Sequence, residues 1–555
     1  MRCRSISLRL FLGLSCLAPP SSADDAPPNI LFISLDTVRA DFLTFRDLET
    51  ARNMTELAAR GTVFTQAISG TSWTLPSHVQ MFTGTPPPRH GVESDREVID
   101  LQMPFLPEVL QRGGYFNAGI FTVRYLWGDY GFDRGFDLYR SAMYAEDLKD
   151  RSLRFAHRRE EAIERMRDNR DRDRITSPYV VTLARHALEH TPTHKPIFLF
   201  AHFYDPHQDF IPPAPWDTHF DPDYDGDIDG REYLTNRRIA DPAAKEYRRI
   251  NDRDLEHIKA LYRGEIAWTD QWIGELLELF EQHRRLDNTL IVIVSDHGEE
   301  FFEHGSYFHR HALYDELVRI PMLIVPPKRQ REGVVRQIEV QVSLSDLMPT
   351  ILAFADLPIP SSVMGRSLKS AMYGEPISDR PELLSLNRPI NKRTRHMINK
   401  HTYAIRTSEF KFVRKMTFAD SKDLQAEVAY FDLAQDPGEL NPIRDINDPL
   451  VVQAWSLLET ELEQVRQRWQ AEARTPDAER ATNIRENFEE ELIMLGYLDA
   501  EPNATGPPRP WGGLHPMPEV QHPLSSHMKI NGLAVSALLV AIALAFGIYF
   551  FRRRI

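Results

Sequence analysis

The chain has 555 residues, beyond the size at which a single hydrophobic core stops growing, so a large domain with a smaller one appended is expected. Its 42% hydrophobic and 26% charged residues are those of a packed globular protein, which excludes wholesale disorder and a multispanning membrane architecture. A formal net charge of -14 removes the long-range attraction on which nonspecific nucleic-acid binding depends, so no nucleic-acid partner is expected.

In chain order, Arg2, Arg4 and Arg9 surround a short apolar run at Leu10–Leu17, and Ser21-Ser22-Ala23 supplies small residues for signal peptidase, so residues 1–23 read as a secretory signal. Both cysteines, Cys3 and Cys16, fall inside it, which leaves the mature chain without a thiol, a disulfide or a Cys metal ligand. Asn29–Leu35 (NILFISL) is a continuous apolar run ending at Asp36, the pattern of a buried parallel strand with polar residues at its carboxyl end. Pro196–Phe203 running into Asp205 and His207, and Asn288–Val294 running into Asp296 and His297, repeat that pattern. Helices are predicted at Ser177–Glu189, with Ser177 as cap and Pro178 in the first turn, and at Leu255–Gln282. Alternating strands and helices predict an α/β sandwich with a mostly parallel central sheet, in which ligands bind beyond the carboxyl ends of the strands.

Arg151–Arg174, dense in both charge signs, reads as a solvated helical excursion. Asp225, Asp227, Asp229 and Gly230 are spaced as in a calcium loop, yet its twelfth position is Asn236 instead of a bidentate Glu, so an acidic surface loop is the preferred reading. β-rich segments at His401–Arg414 and Val428–Leu433, then a helix near Val451–Trp469, predict a small C-terminal α+β domain. The Pro-rich stretch 501–529 reads as a stalk, and Ile530–Phe551, apolar and uncharged, is long enough for a transmembrane helix before Arg552, Arg553 and Arg554. The expected organisation is a catalytic domain over 24–385, the small domain over 386–500, a linker over 501–529, a membrane helix over 530–551 and a cytoplasmic tail over 552–555. Such a protein is exported and anchored once in the cell membrane, with its catalytic domain on the outer or periplasmic face.

A divalent cation prefers carboxylate and imidazole ligands, so Asp36, Asp296 and His297 suit one coordination shell if the sheet aligns their strands. The segment Thr71–His78 (TSWTLPSH) offers Thr74 as a hydroxyl to complete it, and coordination lowers a hydroxyl pKa enough to make it a nucleophile. Pro76 and Ser77 fit a first helical turn, which would aim a helix N-terminus at an anionic substrate.

These motifs, LDTVRAD at Leu35–Asp41, TLPSH at Thr74–His78 and SDHGE at Ser295–Glu299, resemble the landmarks of the sulfatase family in the alkaline phosphatase superfamily. YDELVRIP at Tyr314–Pro321, SDLMPT at Ser345–Thr350, GRSL at Gly365–Leu368 and the segment Tyr430–Glu439 extend the resemblance over roughly Asn29 to Leu498. It implies a hydrolase of sulfate or phosphate esters that uses zinc, calcium or manganese, with one ion expected and two conceivable. It also implies active-site roles for His207 and for His309 or His311, as ligands of the ester oxygen or proton donors to the leaving group, and for Arg39 in orienting Thr74 or neutralising substrate charge. Glu299 and Glu300 are expected to act behind these groups.

Two departures matter. Sulfatases oxidise a Cys or Ser to formylglycine, whereas this chain has Thr74 there, and a secondary alcohol cannot become that aldehyde. The family's Arg after Pro-Ser is His78. Both features are similar to the threonine motif of nucleotide pyrophosphatases/phosphodiesterases, so phosphodiester cleavage stands beside sulfate-ester hydrolysis. A second ion would draw on Asp205, Asp209, His304 or His309. A phosphoethanolamine-type transferase and a catalytically inactive surface-binding protein are the remaining alternatives.

Overall fold

The computed structural model describes residues 26–95, 97–142, 175–230, 250–389, 399–418 and 425–471. They fall into two compact units that change over between Leu386 and Asn387. The signal-like segment, the charged stretch 151–174, Asn236 and everything past Ala471, including the apolar run Ile530–Phe551, lie outside the described residues. Among the described residues, no helix is long and apolar enough to cross a membrane.

Strands of the first unit are β1 (Asn29–Leu35), β2 (Thr62–Ile68), β3 (Phe116–Phe121), β4 (Leu138–Ser141), β5 (Ile197–Phe203), β6 (Thr289–Ser295), the separate short pair β7 (Glu300–Phe301) and β8 (Tyr307–Phe308), then β9 (Arg319–Val325), β10 (Gln337–Ile338) and β11 (Val342–Ser343). The main sheet runs β10-β2-β9-β6-β1-β5-β3-β4, with β11 also on β2. β9 pairs antiparallel with both β2 and β6, and the other pairings are parallel. Every residue of β1, β5 and β6 is buried, because both faces are covered; this is why they read as unbroken apolar runs.

On one face, Leu31, Ile33, Leu199 and Ile293 pack with Val180, Ala184, Ile266 and Ile273 from helices Ser177–His190 and Asp252–Gln282. The alternate residues of the same strands turn the other way, where Phe32 and Phe200 meet Phe82 of helix Thr74–Thr83 at ring separations of 6.0 and 4.9 Å. That helix therefore lies directly against the strands whose ends carry the acids.

The helix is fixed from its far end too. Buried Gln80 accepts from Gly70 N (2.9 Å) and donates to Ser345 Oγ (2.9 Å) and to Glu382 Oε1 (3.0 Å), and Ser343 Oγ donates to the same carboxyl oxygen at 2.6 Å. Burial outweighs these donors and pushes Glu382 up to about 7. A carboxyl raised in the folded state contributes stability that is complete below the unfolded value of 4.5 and is lost as pH rises through about 7. The stability of the wild type relative to Glu382→Gln is therefore expected to fall by about 3 kcal/mol between pH 4 and pH 8. Urea melts of the two proteins across that range check it, and parallel pH profiles would contradict it.

The second unit contains β13 (Asn399–Arg406), β14 (Phe410–Phe418) and β15 (Gln425–Asp432), an antiparallel ladder to which β12 (Glu382–Pro389) leads, and helix Pro449–Ala471. Its interior holds an ion pair between Lys411 and Glu439 at 2.8 Å, both fully enclosed, and Phe412 against Trp455 at 6.0 Å.

Candidate active site

The backbone lattice of the sheet runs one step past the strand ends. Asp36 N–H donates to Phe203 O at 3.0 Å and Asp296 N–H to Leu35 O at 3.2 Å, which sets the two aspartates side by side although 260 positions separate their strands. Thr37 then takes a left-handed φ of 59°, a costly conformation for a β-branched residue. It is held there by Thr37 N donating to Asp296 Oδ1 (3.2 Å), Thr37 Oγ1 donating to Pro206 O (3.1 Å) and Tyr262 OH donating to Thr37 O (2.8 Å). Gly298 completes the corner: a Cβ there would lie 2.0 Å from the Glu316 carbonyl oxygen, so no other residue allows the chain after His297 to pass so closely.

Four of the sequence-predicted residues meet at this corner. Asp36, Asp296 and His297 present donor atoms within 4.8 Å of one another, and all three are fully buried. His297 Nδ1 lies 2.9 Å from the Gly298 carbonyl, which can only accept, so Nδ1 carries the proton and Nε2 keeps its lone pair. Nε2 is 3.4 Å from Asp296 Oδ2, 3.7 Å from Asp36 Oδ1 and 3.4 Å from Thr74 Oγ1. Thr74 is the first residue of helix Thr74–Thr83, whose amino end no side chain caps.

The electrostatics of this group point to a cation. Burial and mutual repulsion with Asp296 push Asp36 well above the ordinary carboxylate range; burial also pushes Asp296 up to about 6 and His297 down to about 4. Asp36 Oδ1 and Oδ2 and Asp296 Oδ2 have no hydrogen-bond partner among the described residues. Orphaned carboxylate oxygens at zero exposure are expensive, and a divalent ion satisfies them together, so the residues present fit a metal.

A second group, His78, His202 and Asp296, also converges within 4.8 Å. His78 cannot serve as a ligand there. Its Nδ1 donates to Thr74 O at 2.8 Å, and its Nε2 accepts from Ser34 Oγ at 2.9 Å, so both ring nitrogens are spent. His78 thus ties the turn that carries Thr74 to β1. His202 was legible in sequence only as part of an apolar strand; its position opposite Ser34 in the β1–β5 register is what brings it to Asp36, 3.6 Å away.

Other expectations are corrected. Arg39, expected to face Thr74 or the substrate, is 6% exposed and its guanidinium is consumed elsewhere. It grips Asp41 with two bonds (2.9 and 2.8 Å) and donates to Glu303 (2.6 Å) and the Glu299 carbonyl (3.1 Å). Asp205, weighed as a ligand of a second ion, is a helix cap. Its carboxylate accepts from Thr176 N (2.6 Å), Thr176 Oγ1 (2.7 Å), Ser177 N (3.0 Å) and Trp268 Nε1 (2.9 Å), and the cap of helix Ser177–His190 is accordingly Thr176, one residue before the predicted Ser177. Asp205→Ala strands four enclosed donors and is expected to cost about 3–5 kcal/mol in a denaturant melt, with metal content per folded molecule unchanged. His304 pairs with Glu316 at 3.1 Å, and His311 with Glu300 at 2.6 Å.

His309 and His207 extend the imidazole row: the His297–His309 and His309–His207 ring centroids lie 4.5 and 5.1 Å apart. Burial, reinforced by the neighbouring imidazoles, lowers both, His207 to about 3, so they are neutral in the free site. His207 Nδ1 donates to Gln208 O at 2.8 Å, and Glu299 Oε2 lies 3.4 Å from His309 Nδ1.

A mostly parallel sheet whose strand ends gather two carboxylates, imidazoles and a helix-terminal hydroxyl defines an α/β protein with an enclosed group of side chains able to hold a divalent cation. The chain belongs to the sulfatase family: the Sulfatase family model matches residues 28–357, more than half of its length, and one described as N-sulphoglucosamine sulphohydrolase, C-terminal, matches residues 302–468. It is 25% identical over 501 residues to an N-acetylglucosamine-6-O-sulfatase of Bacteroides thetaiotaomicron, covering 78% of this chain and 85% of that one. An arylsulfatase of Clostridium perfringens is 32% identical over 253 residues, 44% of this chain and 49% of that protein, and arylsulfatase K of Bos taurus 29% over 197 residues, 35% of each. The chain thus spans about a third to a half of the length of those two arylsulfatases. Among solved structures, the phosphonate monoester hydrolase of Agrobacterium radiobacter superimposes with a TM-score of 0.61 at 21% identity, covering 80% of this chain and 96% of that one, which establishes the shared fold.

Proposed function

We propose that this chain is a metal-dependent hydrolase of sulfate or phosphate esters with Thr74 as its nucleophile. The observation that carries the reading is the placement of Thr74 Oγ1, at an uncapped helix start and 3.4 Å from His297 Nε2, against the orphaned oxygens of Asp36 and Asp296. A divalent cation held by Asp36, Asp296, His297 and Thr74 would lower the hydroxyl pKa and neutralise charge on the ester oxygens.

The chain's own groups then divide the work. His297, its tautomer fixed by Gly298 O, would hold the ion through Nε2 beside Thr74 Oγ1, and the Thr74 proton would pass to solvent as the hydroxyl ionises. The helix N-terminus supplies positive potential toward an anionic ester. His207 and His309 are neutral in the free site, and an arriving anion opposes that depression and raises their proton affinity. His207 exchanges its proton at Nε2, because Nδ1–H is committed to Gln208 O, so a leaving alkoxide is protonated there or at His309.

Substrate charge follows from the same inventory. Arg39 is tied to Asp41 and Glu303, and His78, where the family carries an Arg, is a neutral bridge between Ser34 and Thr74 O. A site with this little fixed positive charge favours singly charged esters, namely sulfate monoesters, phosphate diesters or phosphonate monoesters, over dianionic phosphate monoesters. Turnover of matched nitrophenyl sulfate, phosphate diester and phosphate monoester, each assayed with zinc, manganese and calcium, tests this. A higher kcat/KM for the dianionic monoester than for both monoanions would refute it. Export and single-pass anchoring through 530–551 remain part of the proposal, and protease accessibility of the catalytic domain in intact cells tests them.

A further inference from the structure

We propose that His202 is an additional ligand of the cation, through Nε2, so that the site presents two imidazoles and two carboxylates beside Thr74. The inference rests on the reading above that this corner holds a divalent ion, and goes beyond it in the identity of the ligands and the class of ion.

His202 is fully enclosed as the penultimate residue of β5, and Nε2 has no hydrogen-bond partner among the described residues. Nε2 lies 3.6 Å from Asp36 Oδ2, and a ring nitrogen of His202 lies within 4.8 Å of a carboxylate oxygen of Asp296. The unpartnered Nε2 of His202 therefore stands beside an unpartnered oxygen of Asp36, and the two groups of candidate ligands share Asp296.

The tautomer follows from Thr122. His202 Nδ1 is 2.6 Å from Thr122 Oγ1, and that hydroxyl is also 3.3 Å from the His202 carbonyl. A hydroxyl has one proton. If it is donated to the carbonyl, Oγ1 accepts from Nδ1–H and both contacts are hydrogen bonds. If it is donated to Nδ1 instead, Oγ1 faces the carbonyl with no proton between two acceptors. The first arrangement leaves a lone pair on Nε2 facing the lone pairs of Asp36 Oδ2, which is repulsive unless a proton or a metal cation lies between them. It is also the arrangement of a metal-bound imidazole, in which the second ring nitrogen donates outward and fixes the ring. His297, with Nδ1–H on Gly298 O, has the same form.

Two neutral imidazoles shift the preference from hard, oxygen-seeking calcium toward zinc, manganese or iron. The test uses the full chain loaded with zinc, with Kd measured by chelator competition for wild type, His202→Ala and His202→Gln, and with zinc X-ray absorption on the wild type to count imidazoles directly. A two-imidazole absorption spectrum, zinc Kd weakened at least about tenfold in both variants, and zinc bound well ahead of calcium by the wild type support the proposal. A one-imidazole spectrum, or a variant that binds zinc within twofold of wild type, overturns it while leaving the nucleophile reading intact. The spectrum needs no mutant, so a variant that misfolds does not decide the matter. A wild type that binds no divalent ion would overturn both readings together.

Discussion

Thr74→Ala is expected to lower kcat/KM by roughly 10⁴-fold or more while the melting temperature stays close to that of the wild type and the cation, still held by Asp36, Asp296 and His297, stays bound at saturating metal. The chemistry passes through one oxygen, and removal of that nucleophile costs nearly the whole acceleration. The fold loses little in return. Thr74 Oγ1 makes a single long contact, 3.4 Å to His297, while the backbone of the turn is held independently by His78 on Thr74 O and by Ser77 Oγ on Trp73 O. Steady-state kinetics beside metal analysis of the same sample distinguishes this from collapse of the site: activity lost together with the metal would place Thr74 in a structural role.

Asp296→Asn should change stability in opposite directions with and without the ion. The amide oxygen can keep the bonds that Asp296 Oδ1 accepts from Thr37 N and His297 N, so the corner retains its shape. Cation affinity is expected to fall more than about 100-fold, since even the outer partners of metal ligands are worth 10–100-fold. In the metal-free protein the sign reverses. Asp296 is raised to about 6 from 3.8 by burial, so its contribution to stability is complete below pH 3.8 and is lost as pH rises through about 6. With chelator present at pH 7.5, the asparagine variant should therefore be more stable than the wild type, by on the order of 3 kcal/mol; at pH 4 the two should agree. Calorimetric melts at both pH values decide it, and a variant less stable than wild type in chelator at pH 7.5 would show that the carboxylate is satisfied without an ion.

The parts of this site that could be read from sequence are those that sit at the ends of buried strands. NILFISL, IFLFAHF and TLIVIVS are apolar because both faces of β1, β5 and β6 are covered, and the acids that stop them mark the edge where the sheet opens. Local pattern could not say which strand-end acid faces the cavity. Asp36 and Asp205 each follow an apolar run, yet the first is orphaned and the second is the cap of a helix that begins 28 positions earlier. Arg39 was misread for a similar reason: its partner Glu303 lies 264 positions away, and no spacing rule reaches that far. His202 was hidden because an imidazole inside an apolar run looks like a core residue until the β1–β5 register sets it beside Asp36.

The most direct measurement is mass spectrometry of the wild type, acid-quenched during turnover of a slow aryl phosphodiester or sulfate ester in the presence of zinc or manganese. The account predicts a covalent phosphoryl or sulfuryl group on the peptide containing Thr74, absent from Thr74→Ala. An adduct on another residue, or full turnover by Thr74→Ala, would contradict it.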